Sequence, residues 1–179
     1  MGEVHHVVDH LKLEYRGVFN IREMLSGLGR WMKENPYEKG GDYMSEQHTA
    51  HGKCIEYTYW PWKKETYPYV RLYMKVRILI YDAKKVDVLV GKKKMTLDHG
   101  RILIYLDGLL DYDHDSYWDT TPMHVFFRTL WVKFVLRNYT KMYERNLIND
   151  VHDLYEYFER MLNTYRTYRP VEKQPHFYY

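Results

Sequence analysis

With a single cysteine, Cys54, among 179 residues, the chain can form no internal disulfide, which fits a reducing compartment. No run approaches the roughly 18 consecutive apolar residues that a membrane-spanning helix requires. The opening residues Met1-Gly2-Glu3-Val4-His5-His6 lack a basic segment leading into an apolar one, as a signal peptide would have, and His6 breaks the myristoylation pattern. Together these point to a cytoplasmic protein. Charge of one sign is also scarce, since the formal net charge is only +3, too mild on its own to argue for nucleic acid. Gly-rich phosphate loops, nucleophile elbows and kinase signatures are missing. The sequence therefore offers no catalytic residue and no cofactor motif, and it leans away from an enzyme.

Glycine and proline are absent between Met123 and Tyr168, and this is the most consequential gap. Asp119, Thr120 and Thr121 precede Pro122, a capping arrangement with proline in the first turn. A C-terminal helical stretch is expected over 122–168. Two apolar faces run along it. Phe127, Leu130, Trp131, Phe134 and Val135 form the first; Leu147, Ile148, Val151, Leu154, Tyr155, Phe158 and Leu162 form the second. At 100° per residue the two faces lie over 100° apart. The spacing therefore predicts a bend or face change at 137–149. The second stripe then either folds back as core or is buried in a homo-oligomer interface through 147–165, with Val151, Leu154, Tyr155 and Phe158 as its centre.

Tyrosine is abundant, at 20 residues. A phenol buries its ring and keeps its tip wet, so the excess suits cavity walls, half-buried faces or interfaces; a compositional bias of the source genome would produce it as well.

Taken in order, 4–19 alternates as a first strand. Asn20 then caps a short helix, or a helix pair if Gly27 and Gly29 divide it, and Asn35-Pro36 stops it. Alternation resumes at Ile55, Tyr57 and Tyr59. It is clearest over 70–81, where even positions are apolar and Arg71, Tyr73, Lys75 and Arg77 fall on the other face. Asp82-Ala83-Lys84-Lys85 reads as a turn into a return strand of Val86, Val88 and Val90. Gly91-Lys92-Lys93-Lys94 and Asp98-His99-Gly100 read as further turns, the latter before Ile102, Ile104 and Leu106.

The expectation is a single α+β domain over 1–168, with a tail at 169–179. A curved antiparallel sheet of about five to seven strands is covered by a long C-terminal helix. In this order of elements the chain resembles the helix-grip superfamily (START-like, polyketide cyclase-like and Bet v 1-like domains) over 4–165. The resemblance implies a sheet wrapped around the last helix and enclosing an apolar cavity. It carries over no functional residue, because no motif accompanies it.

Several groups of residues are candidates for chemistry. His48 and His51 have ligand-like spacing but no third ligand nearby. Asp111, Asp113, Asp115 and Asp119 start like a calcium loop, yet its glycine and closing glutamate are missing. They read more plainly as a strand end and a helix start, where carboxylates are favoured. Cys54 reads as a buried, inert thiol, and no metal site is expected. Under the helix-grip resemblance, the cavity candidates are Val70, Leu72, Met74 and Val76 with Ile102 and Ile104, faced by Phe127, Trp131 and Phe134. A basic, tyrosine-rich sheet face of Arg71, Tyr73, Lys75 and Arg77, extended by Lys92, Lys93 and Lys94, could stack bases and neutralise phosphates.

The leading expectation is a non-enzymatic domain that binds a hydrophobic small molecule or assembles through its C-terminal helix. The alternative is a nucleic-acid- or ribosome-associated protein using the basic face. A cyclase-like enzyme rests on the family analogy alone.

Overall fold

Alternation of period two along 70–80 makes one face of that strand wholly apolar. In the computed structural model of the protein this face is the floor of the core. The structure describes residues 3–50, 52–65, 70–90, 93–112 and 137–168. Within them the order is β1 (Glu3–Phe19), α1 (Ile21–Glu34), β2 (Asp42–Thr49), β3 (Gly52–Tyr59), β4 (Trp62–Lys64), β5 (Val70–Val90), β6 (Lys93–Tyr112) and α2 (Arg137–Tyr165). The strands make one six-stranded sheet ordered β1-β6-β5-β3-β2, with β4 also paired to β5. Every pairing is antiparallel. The architecture is α+β, with the longer helix following the strands.

The register supports the alternation read from the sequence. Val76 faces Leu106, Ile78 faces Ile104 and Ile80 faces Ile102 across the β5–β6 pair. All six lie on the inner face and are buried. The expected turns at 82–85 and 98–100 are not turns. β5 and β6 run through them as one long hairpin, and Val86, Val88 and Val90 continue β5. What looked like a turn is a bulge, with the register shifting between Tyr81 and Lys84 against β6. Asp82 takes a left-handed φ of 55°, which a short polar side chain tolerates. Opposite it, a Cβ on Gly100 would lie 2.6 Å from the Tyr81 carbonyl oxygen, so no side chain fits there.

Asn20 caps α1 as expected, its Oδ1 accepting from the main-chain N–H groups of Arg22 and Glu23 at 3.1 and 3.3 Å. α1 is not divided at Gly27 and Gly29. Gly27 instead lets α2 approach, since a Cβ there would meet Tyr157 Oη at 3.1 Å and Met161 Sδ at 3.3 Å. α2 is likewise unbroken from Arg137 to Tyr165; the expected bend or face change at 137–149 is relative to the first stripe, which lies outside the described residues. The buried positions of α2 are Tyr143, Leu147, Val151, Leu154, Phe158, Leu162 and Tyr165. Steps of three and four residues hold these on one stripe. The first six join the inner face of β5 and β6 in the main core cluster. Tyr165 meets Val18, Val88 and Leu97 in a smaller cluster.

The second stripe packs on the protein's own sheet, apart from Ile148, which is 37% exposed. Val151, Leu154 and Phe158 are 0% exposed within a single chain, so they offer no surface to a second copy; Tyr155 is half-buried. The first stripe, Phe127 to Val135, lies outside the described residues, as do Pro122 and the tail. No described helix is long and apolar enough to cross a membrane.

Two tests follow from this packing. Leu154→Glu with Phe158→Glu places two carboxylates under the sheet and should unfold the chain, read as lost helical circular dichroism; a folded double variant would overturn the assignment of the stripe to the core. At Gly108, a Cβ would sit 3.2–3.3 Å from the side chains of Leu147 and Val151. Gly108→Val should cost about 1–3 kcal/mol by overpacking. Leu147→Ala should recover part of that in a double-mutant cycle read by chemical denaturation.

Candidate functional site

The inner face accounts for most of the cavity candidates. Val70, Leu72, Met74, Val76, Ile102 and Ile104 are brought together there, each at most 2% exposed. The α2 stripe lies over the same cluster. Phe127, Trp131 and Phe134 lie outside the described residues. Toward the sheet edge the cover thins. The cross-strand row Ile78–Tyr57–Met44 passes from buried through half-buried to 52% exposed. In the adjacent row, Tyr59 faces Val76. Its ring is 2% exposed and stacks at 6.1 Å on that of Tyr57. The Tyr59 hydroxyl is buried and has no hydrogen-bond partner among the described residues. Burial, then the neighbouring Tyr57 and Asp42, push its pKa up, so at neutral pH it is a protonated donor.

The outer face carries the nucleic-acid candidates, but their charges are largely engaged. Arg77 pairs with Glu56 at 2.8 Å. Arg71 lies 4.9 Å over the Trp62 ring, against which Tyr73 tilts. Lys75 sits directly across from the buried Asp107. Lys94 pairs with Asp87 at 3.0 Å, while Lys92 and the side chain of Lys93 lie outside the described residues. The face is an interleaving of both signs.

Between α2 and β4 lies a network that no local sequence pattern announces. Asp150 Oδ2 accepts from Tyr37 Oη at 2.7 Å and from Lys63 Nζ at 2.6 Å. The ammonium is also 4.9 Å from the Tyr37 ring centroid and 3.9 Å from Glu65. Tyr37 stacks on Trp31 at 5.5 Å. Burial above all, then Asp150, drives the Tyr37 phenol far above its usual pKa, so it acts as a donor and not as a base. Donors and acceptors satisfy one another, so the group works as a clip between α2 and the sheet edge.

A second cluster occupies a bulge in β1. The register shifts between Val8 and Leu11, and His10 adopts φ 51°. Its main-chain N–H donates to Asp107 Oδ1 at 2.7 Å. Its Nδ1 lies 2.6 Å from Asp9 Oδ1 and 3.1 Å from Asp107 Oδ1. The hydrogen bond to Asp9, followed by the charges of Asp107 and Asp9, holds the imidazole above its usual pKa. Among the described residues these three have donor atoms close enough to share a cation. Asp9 and His10 are exposed, however, and Asp107 already accepts a main-chain hydrogen bond.

The remaining sequence candidates stay apart. His48 is exposed beside Glu46, at 3.3 Å, and residue 51 lies outside the described residues. Asp111 is buried at the end of β6, and Asp113, Asp115 and Asp119 lie outside. Cys54 is half-buried rather than buried, facing Gln47 on the neighbouring strand.

Tyr37, Lys63 and Asp150 had no local signal to find them by, since 113 and 87 positions separate the bonded pairs. Asp150→Ala would leave the Tyr37 hydroxyl and the Lys63 ammonium without their acceptor. It should cost about 1–3 kcal/mol. A cycle with Lys63→Met, read by urea denaturation, should give a coupling of about 0.5 kcal/mol or more; additive losses would show that the clip carries no energy. No protein-family model matches the chain, and no match is found among curated proteins or solved structures.

Proposed function

We propose that the protein binds a hydrophobic small molecule bearing one polar group, seated on the inner sheet face beside Tyr57 and Tyr59. The observation that carries this reading is the buried Tyr59 hydroxyl, which has no hydrogen-bond partner among the described residues. An unsatisfied buried hydroxyl costs about 1–3 kcal/mol. A ligand oxygen within reach would remove that cost, while the rest of the molecule lies against apolar surface. The row from Ile78 through Tyr57 to the exposed Met44 supplies a graded apolar approach from the β2 edge.

The resemblance to helix-grip domains points the same way. The first strand lies beside the last, and the C-terminal helix packs over the inner face. The reading as a scaffold assembling through α2 has less behind it, because the apolar stripe of the helix is already spent on the sheet. The nucleic-acid reading of the Arg71–Arg77 face loses support from the carboxylates and rings that engage those cations.

Titration with cis-parinaric acid, an apolar chain with a carboxylate, tests the proposal by fluorescence. The wild type should bind one equivalent saturably. Tyr59→Phe should bind about tenfold more weakly, or about 1.4 kcal/mol. The same variant without ligand should melt at a higher temperature than the wild type, because its orphaned hydroxyl is gone. Absence of saturable binding by the wild type, or equal affinity in Tyr59→Phe, overturns the reading.

A further inference from the structure

The bulge in β5 opens a groove of about 690 Å³ lined by Arg16, Tyr81, Asp82, Lys84, His99 and Arg101, with Gly100 and Leu103. Its charge arrangement runs against what a free-standing sheet would choose. Arg16 of β1 and Arg101 of β6 are direct cross-strand partners, and like charges directly opposed destabilise a strand pair. Lys84 faces His99 across the β5–β6 pair. Arg101 is partly compensated by Glu14 at 2.8 Å. Arg16 and Lys84 form no ion pair among the described residues. Elsewhere on the sheet, Lys53, Arg77, Lys85 and Lys94 each hold a carboxylate within 3.0 Å. Among the described residues of the groove lining, Asp82 is the one carboxylate. Three cations therefore converge where the geometry of the bulge holds them together.

We propose that this groove binds the phosphate group of an anionic small molecule, with Arg16, Lys84 and Arg101 as its ligands. A guanidinium fork matches phosphate oxygens and a lysine adds a point charge. An anion between Arg16 and Arg101 turns their repulsion into two attractions. Tyr81 forms one wall of the groove and is 39% exposed, an open ring on which a planar group attached to the phosphate can stack. The site is on the outer face, independent of the Tyr59 site on the inner one.

The test uses two probes, inorganic pyrophosphate and adenosine 5′-monophosphate, on the full chain at low salt. Pyrophosphate should raise the thermal midpoint of the wild type and bind with measurable heat. Arg16→Ser and Lys84→Ser, both at exposed positions, should each weaken binding about 5- to 30-fold and reduce its dependence on salt. Arg16→Glu gives a sharper test. It relieves the repulsion with Arg101, so it should raise the midpoint of the ligand-free protein while abolishing the response to pyrophosphate. A merely structural role for Arg16 predicts the opposite sign for the first effect. Lys53→Ser, far from the groove and paired with Glu46, should bind as the wild type does. Tighter binding of the nucleotide than of pyrophosphate assigns a stacking role to Tyr81; equal or weaker binding assigns the site to the phosphate alone, and either ranking supports the groove. The proposal is overturned if the wild type shows no response to either probe, or if Arg16→Glu responds as the wild type does.

Discussion

The seating of the α2 stripe on the inner face of β5 and β6 is the contact on which the rest of the molecule depends. Large apolar side chains from helix and sheet meet there at exposures of 0–2%, each contributing about 1.5–3 kcal/mol by leaving water. At Gly108 the helix comes close, since a Cβ there would press on Leu147 and Val151 at 3.2–3.3 Å. α1 leans on α2 by the same device at Gly27. Apolar burial sets the strength of this contact and not its orientation. Polar contacts supply the orientation. Asp150 is clipped to Tyr37 and Lys63, and further along the helix the Tyr165 hydroxyl bonds to Glu23 of α1.

The bulges determine where chemistry is possible. A regular antiparallel pair alternates its side chains evenly, and an extra residue interrupts that pattern. In β1 the interruption turns His10 toward Asp107; in β5 it opens the groove that gathers Arg16, Lys84 and Arg101. Both depend on a polar residue accepting a left-handed backbone, His10 and Asp82. The outer face is thus divided into local clusters of mixed charge. The inner face of β5 and β6 is apolar from Val70 to Ile80 and from Ile102 to Leu110, with the buried Tyr59 hydroxyl beside it. The two proposed sites differ accordingly, one recognising an apolar body and the other a phosphate.

How much of this could be read in the sequence depended on whether a pattern was local. The alternation over 70–80 and 102–106 was legible because one face of each strand is buried and the other wet. The helical period of Leu147, Val151, Leu154 and Phe158 was legible for the same reason. β2 was not, because Asp42–Thr49 is an edge strand exposed on nearly every residue and shows no alternation. The segment 82–85 was misread because Asp-Ala-Lys-Lys carries the composition of a turn. Composition cannot distinguish a turn that reverses the chain from a bulge whose partner strand continues alongside. Gly27 was read as a breaker from its propensity, whereas its place in the fold is decided by Tyr157 and Met161 on another helix.

The sequence by itself therefore determined the α+β class, the inward face of the central strands and the apolar stripe of the last helix. Each follows from period and burial within a few neighbouring residues. Only the tertiary structure decided that the stripe is spent on its own sheet, that Asp150 meets Tyr37 and Lys63, that the Tyr59 hydroxyl is buried without a partner among the described residues, and that Arg16 stands opposite Arg101. Those outcomes join residues tens of positions apart through strand register and helix docking. No local spacing encodes them, because they are set by the free energy of the whole packing arrangement.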